Sequence, residues 1–201
     1  MISFVRHGET ALNRDGRLQG RVDSELSTRG LEQVARLATR LSAWEIASVY
    51  SSPLTRARQT ATAIAAVAGC EVEIDERLIE LDYGEWDGLE LSEIRPKREG
   101  SWFEEPNFAP PGGESLAAVT ERVEAFCRER FAGGDADGAA GRVVAVSHVS
   151  PIKAAVVWAL GVDERAALRM RLGLASITDI GSAPNGRGYL SSFNDTAHLT
   201  H

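Results

Sequence analysis

Two histidines follow short apolar runs of sequence, at the points where predicted strands end. His7 comes after residues 2–5 and one arginine, Arg6. His148 comes directly after residues 143–147, a run suited to burial on both faces of a parallel sheet. Ligands of open α/β sheets bind beyond the carboxyl ends of the strands. We therefore expect both imidazoles at one edge of a sheet.

Cationic side chains near these strand ends would form a pocket for an anion. Arg6 precedes His7, and Arg56 lies near the amino-terminal turn of a predicted helix, where free backbone N–H groups also favour an anion. Together with His148 they would bind a phosphate dianion, because arginine forks match its oxygens. A neutral imidazole held against the phosphorus can act as a nucleophile. Phosphoryl transfer is therefore the predicted chemistry.

Such chemistry also needs a proton donor for the departing alkoxide, and one segment of the chain is rich in carboxylates. Composition alone does not choose among its acidic residues, which are Glu76, Glu80, Asp82, Glu85 and Asp87. A metal site is the competing use of histidines with carboxylates. No metal is expected, because arginines beside His7 would repel a cation.

Strand and helix patterns alternate along the chain. Helical spacing and capping signals predict helices over residues 28–42, 53–68, 114–131, 151–160 and 163–170. Apolar or alternating runs predict strands over residues 2–5, 46–51, 70–74, 143–147, 175–180 and 189–193. Asn185-Gly186 between the last two is a hairpin signal. This order predicts an α/β fold, a three-layer sandwich with a mostly parallel central sheet flanked by helices, plus a C-terminal β-hairpin, in a single domain over residues 1–201.

Local signals give more detailed expectations. Ser52 and Pro53 are predicted to begin the second helix, as its cap and its first residue. Residues 11–25 are predicted to be a loop over the strand ends, and residues 99–113 a long ordered loop that could act as a lid. The polar tail that contains His198 and His201 is expected to be frayed.

Composition narrows the partners. A net charge of -7 argues against nucleic acid or an anionic membrane as the main partner, since both select a basic surface. Cys70 and Cys127 are not spaced like metal ligands, and we interpret them as reduced thiols. No signal peptide is recognised before the first strand, and no apolar run approaches the roughly 18 residues of a membrane span. A cytoplasmic protein is expected.

Four blocks of sequence resemble the histidine phosphatase superfamily, also called phosphoglycerate mutase-like. They occur in the expected order and span most of the chain. The blocks are Arg6-His7-Gly8-Glu9-Thr10 with Asn13, Leu26-Ser27 before Gly30, Ser51-Ser52-Pro53-Leu54 before Arg56, and Val146-Ser147-His148.

The resemblance assigns roles to the candidate residues. It implies that His7 is phosphorylated during catalysis and that Arg6, Arg56 and His148 hold the phosphate. Residues 78–88 resemble the family segment that carries the general acid, and the alignment selects Glu80.

Two further positions, Asn13 and Val149, are compared with the family pattern. Asn13 matches a position that often touches phosphate in this family. Val149 departs from the pattern, because the family often has glycine after the second histidine. A branched side chain at that position narrows the freedom of the backbone, which bears on substrate fit more than on the reaction.

The pattern Gly84-x-Trp86-x-Gly88 and the modest length are more similar to the small phosphatases, including α-ribazole phosphatases, than to mutases with a longer insertion. The resemblance implies a metal-independent phosphomonoester hydrolase without a cofactor, acting on a small phosphorylated metabolite through a phosphohistidine on His7. The alternatives are a phosphoglycerate mutase and a phosphate-ester binding module without turnover.

Overall fold

The computed structural model describes residues 1–94, 105–132, 141–183 and 185–200. Within them, six strands form one sheet. The strands are β1 (Ile2–Arg6), β2 (Ile46–Ser51), β3 (Val72–Ile74), β4 (Arg142–Ser147), β5 (Ile177–Ser182) and β6 (Gly188–Asp195). Their spatial order is β3-β2-β4-β1-β5-β6.

The first four strands in this order run parallel to one another, β5 is antiparallel to β1, and β6 is antiparallel to β5. Strands β5 and β6 form the C-terminal hairpin around Asn185 and Gly186. The predicted mixed α/β architecture with a closing hairpin is confirmed. Because β1 and β4 are parallel neighbours, their carboxyl ends lie side by side.

The helices described are α1 (Ala11–Arg14), α2 (Thr28–Leu41), α3 (Thr55–Ala68), α4 (Leu91–Ile94), α5 (Leu116–Ala132) and α6 (Val149–Leu160). Short 3₁₀ turns occupy Glu76–Leu78, Gly84–Trp86, Glu164–Arg169 and Ala197–Leu199. No described helix is long and apolar enough to cross a bilayer.

Consecutive residues of β1 bury their side chains on opposite faces of the sheet, as strand geometry requires. Phe4 packs edge-on against Phe126 of α5, at 6.2 Å between ring centroids, in the core on one face. Val5 lies in the core on the other face with Leu37 of α2 and Ile64 of α3. The sheet is therefore the rigid middle layer that fixes the ends of β1 and β4.

The start of α3 differs from the prediction. Pro53 is not its first residue, because the helix begins at Thr55 with Leu54 in the capping position. The hydroxyl of Ser52 does accept a hydrogen bond from the Leu54 N–H, at 3.3 Å, but it also contacts His148 at 2.7 Å. The local pattern predicts Ser52 as a helix cap, but its hydroxyl also contacts His148, which is distant in sequence.

Other local expectations are corrected too. Residues 11–25 contain the short helix α1, capped by Thr10, and the predicted helix over 163–170 is a 3₁₀ segment. The tail is packed rather than frayed up to residue 200, with His198 Nε2 3.0 Å from the Ala175 carbonyl oxygen. Residues 99–104 of the predicted lid lie outside the described residues.

Candidate active site

His7 and His148 lie next to each other at the carboxyl ends of β1 and β4. Arg6, the last residue of β1, is in register with Ser147, the last residue of β4. The two imidazole centroids are 5.0 Å apart, and the residues are 3% and 0% exposed. Gly8 then turns the chain against α2, where a Cβ would lie only 2.7 Å from the carbonyl oxygen of Gly30.

The proton of the neutral His7 ring is on Nδ1. This nitrogen lies 2.7 Å from the carbonyl oxygen of Gly8, which can only accept a hydrogen bond. The lone pair is therefore on Nε2. Burial, followed by the charges of Arg56 and Arg6, holds the pKa of His7 well below its ordinary value. The ring is neutral at pH 7, which a nucleophile requires.

His148 has one engaged and one unpartnered nitrogen. Its Nε2 is 2.7 Å from the hydroxyl oxygen of Ser52. Its Nδ1 is buried and has no hydrogen-bond partner among the described residues. Burial is the main cause that lowers the pKa of His148, and the charge of Arg56 adds to it. A buried nitrogen without a partner indicates a place for a ligand atom.

Arg56 is fully buried in the first turn of α3. Its Nη1 donates to the carbonyl of Val22 at 3.0 Å and its Nη2 to that of Gly20 at 2.7 Å. Burial lowers its pKa to about 10, against the opposing effect of Glu80, so the guanidinium stays charged at pH 7. Its Nε has no partner within the described part of the chain.

Asp87 fixes the loop that holds Arg56. One carboxylate oxygen accepts from the Gly20 N–H at 2.6 Å, and the other accepts from the N–H groups of Arg21 and Val22 at 2.8 and 3.2 Å. The loop thus presents its amides to Asp87 and two carbonyls to Arg56. A Cβ at position 20 would lie 2.5 Å from the Asp87 carboxylate, so glycine is needed there.

Arg6 supplies the second guanidinium. Its Nη1 donates to the carbonyl oxygen of Leu172 at 2.6 Å, while its Nε is buried and without a partner among the residues described. Burial lowers its pKa to about 10, although Glu80 opposes the shift. Its charge contributes to lowering the pKa of both His7 and His148.

Glu80 is 4% exposed, and its carboxylate lies at the amino terminus of α6. One oxygen accepts from the N–H groups of Leu81 and Ser150, at 2.8 and 3.1 Å, and the other accepts from the Val149 N–H at 3.0 Å. Its charge acts on both site arginines. The structure therefore brings Glu80 to the same edge of the sheet as the histidines.

Comparison with known proteins identifies the family. The profile of the histidine phosphatase superfamily (branch 1) matches residues 2–196. The chain belongs to this superfamily. Phosphoserine phosphatase 1 of Hydrogenobacter thermophilus is 41% identical over 167 residues, which cover 81% of this chain and 77% of that protein. The chain spans about half, 54%, of the length of mycobacterial relatives to which it is 36% identical, among them the "Bifunctional protein Rv2228c" of Mycobacterium tuberculosis.

Solved histidine phosphatase structures share the whole architecture. The mycobacterial glucosyl-3-phosphoglycerate phosphatase, determined with VO3, has a TM-score of 0.88 and 31% identity and covers 96% of this chain and 98% of its own. A phosphoserine phosphatase from Entamoeba histolytica, in complex with phosphoserine, has a TM-score of 0.84 and 28% identity over 98% of each chain. These structural relatives are named for phosphatase activity on small phosphorylated substrates.

Two further predicted site residues, Asn13 and Val149, make structural contacts of different kinds. Asn13 belongs to α1, where its side-chain oxygen accepts from the Thr10 N–H at 3.2 Å as part of the helix cap. Its contact with phosphate stays a prediction. Val149 is the first residue of α6 and donates its N–H to Glu80.

Sequence reasoning missed two residues that support the site. Ser52 belongs to a quoted family block, but its contact with His148 spans 96 positions and leaves no local signal. Asp87 was one of five carboxylates, and only the folded loop shows what it binds. Among the described residues, no group of three or more histidine, cysteine or acidic side chains could hold a metal ion.

Proposed function

We propose that the chain is a metal-independent phosphomonoester hydrolase that works through a phosphohistidine on His7. The observation that carries the proposal is the state of this ring: buried, neutral, protonated on Nδ1 and close to two charged arginines. Buried Nε–H groups of Arg6 and Arg56 and the Nδ1 of His148 lack partners in the described structure. They are the groups that a phosphoryl dianion would satisfy.

In the first step, Nε2 of His7 attacks phosphorus. The N–P bond forms, the P–O ester bond breaks, and Glu80, which must carry a proton when the substrate binds, gives that proton to the departing alkoxide. The two arginines and His148 stabilise the charge on the equatorial oxygens, which is the main demand of phosphoryl transfer. In the second step, Glu80 takes a proton from water, whose oxygen attacks phosphorus while the N–P bond breaks. Phosphate leaves and His7 is restored.

The direct test replaces the nucleophile. We expect His7→Ala to lower kcat for p-nitrophenyl phosphate by about a thousandfold or more, since the covalent route needs the imidazole. Rapid acid-free quenching with a radiolabelled substrate should trap a base-stable phosphoprotein in the native enzyme and none in the variant. His198→Ala, a histidine outside the site, is the matched control. A folded His7→Ala enzyme that keeps a tenth of the rate contradicts the proposal.

A small phosphorylated metabolite is the proposed substrate. Phosphoserine and 3-phosphoglycerate are candidates because solved relatives contain them. α-Ribazole 5′-phosphate remains a candidate through the Gly84-x-Trp86-x-Gly88 pattern. Product analysis with 3-phosphoglycerate distinguishes a hydrolase from a mutase. Release of inorganic phosphate supports the hydrolase, and formation of 2-phosphoglycerate supports the mutase.

A further inference from the structure

A cavity of about 130 Å³ adjoins the residues that hold Glu80. Val149 and Ser150, whose N–H groups bind the Glu80 carboxylate, form part of its wall. Under the proposed function, Glu80 protonates the leaving oxygen. The cavity is therefore placed to receive the alcohol part of the substrate.

The wall of this cavity is mostly apolar, with one basic side chain. Its apolar lining includes Leu81, Phe108, Pro110, Leu116 and Leu168. Lys153 is half-buried, and its ammonium makes no hydrogen bond or ion pair with any residue that the structure describes. Burial lowers the pKa of Lys153, and the charges of Arg6 and Arg171 act in the same direction. A cation in this position would gain from an anionic ligand.

Two carboxylates also line the cavity, and neither neutralises Lys153. Glu114 is held by Arg122, at 2.9 Å, and by Arg21, at 3.3 Å. Glu105 is exposed to solvent, which screens its charge. The nearby Glu80 raises the pKa of Lys153 but is occupied by three backbone N–H groups.

The spacing along α6 sets how far Lys153 lies from the phosphate site. It follows Val149 by four residues and Ser150 by three, so the three share one helix face with a rise of about 6 Å between the first and last. Helical side chains point back towards the amino terminus, which brings the ammonium closer to Glu80. This distance suits an anionic group a few bonds from the ester oxygen.

We propose that Lys153 binds a carboxylate of the substrate, and that the favoured substrates are phosphomonoesters of small carboxylate-bearing alcohols. This inference rests on the proposed function, since only then is the cavity the leaving-group site. One ammonium in a small apolar cavity matches a single negative charge. A second phosphate would call for the bidentate donors that Arg6 and Arg56 provide elsewhere.

Two substrate pairs that differ by the carboxylate test the proposal. Phosphoserine is compared with phosphoethanolamine, and 3-phosphoglycerate with glycerol 3-phosphate, as ratios of kcat/KM within each enzyme. The native enzyme should prefer the carboxylate in at least one pair, and Lys153→Met should lower that ratio by about tenfold to a hundredfold. Using ratios removes any general loss of activity in the variant.

Charge-matched variants complete the experiment. Lys153→Arg should retain most of the preference, and Arg171→Met, which removes an exposed nearby charge outside the cavity lining, should leave the ratio near that of the native enzyme. The inference is overturned if the native enzyme shows no carboxylate preference, or if Lys153→Met gives the same ratio as the native enzyme. If p-nitrophenyl phosphate is still hydrolysed in that case, the proposed function stands. Failure to hydrolyse any of these esters overturns the proposed function itself.

Discussion

The two histidines are fixed by different partners. The carbonyl of Gly8, at 2.7 Å, holds the proton of His7 on Nδ1. The partner of His148 is the Ser52 hydroxyl, whose oxygen already accepts from the Leu54 N–H. That hydroxyl can therefore give its own hydrogen to Nε2, which leaves His148 protonated on Nδ1. A proton on Nδ1 is what a phosphate oxygen needs from a neutral ring, so Ser52 is a positioning residue under the proposed function.

Removing the Ser52 hydroxyl tests this arrangement. We expect Ser52→Ala to lower kcat/KM for p-nitrophenyl phosphate by about tenfold to a hundredfold, because His148 loses the contact that fixes its tautomer. Histidine ¹⁵N shifts should show His148 protonated on Nδ1 in the native protein and on a mixture of nitrogens in the variant. Ser51→Ala is the control, since that hydroxyl donates to the Ser52 carbonyl instead. Unchanged kinetics and an unchanged tautomer would contradict the role.

At the scale of elements, the apolar runs predict β1 and β4 because burial on both faces is a local property of sequence. The same holds for α2, predicted over residues 28–42 and found over Thr28–Leu41. The start of α3 is not readable in this way, since Ser52 also serves a histidine on another strand. The loop around Gly20 is equally non-local, because its shape comes from Asp87, 67 positions away.

Asp87 should act on the phosphate through this loop and Arg56. In Asp87→Asn, one carboxylate oxygen is replaced by an NH₂ group that faces backbone N–H donors, so the loop loses either the bond at Gly20 or the two bonds at Arg21 and Val22. We expect about tenfold weaker inhibition by inorganic phosphate and a raised KM, with a smaller effect on kcat. Glu85→Gln, an exposed neighbour, is the control. A loss of stability without any change in phosphate affinity would rule this role out.

At the scale of the whole molecule, the site concentrates positive charge inside a protein of net charge -7. Arg6 and Arg56 remain cationic despite burial because backbone carbonyls and Glu80 compensate them. The two histidines, by contrast, remain unprotonated, because burial and the charged arginines lower the pKa of both rings. The folded state therefore excludes protons that the unfolded chain can bind, and this couples the active site to global stability.

That coupling has a definite sign. The pKa of His7 and His148 is lowered in the folded protein from an unfolded value of about 6.5, so below that pH the unfolded state binds more protons and the free energy of unfolding falls. Between pH 7 and pH 5 we expect the free energy of unfolding to fall, by at most about 2 kcal/mol for each histidine, as measured by urea denaturation in phosphate-free buffer.

One variant separates this contribution from that of the carboxylates. His7→Gln removes one titrating ring, so its free energy of unfolding should fall less than that of the native protein over the same interval, by up to about 2 kcal/mol. Every other ionisable group is retained, and the contribution of His148 changes only through the loss of the effect of His7 on its pKa. If the two proteins lose stability equally, then His7 accepts a proton in the folded state, and the neutral nucleophile on which the proposed reaction depends would be absent at mildly acidic pH.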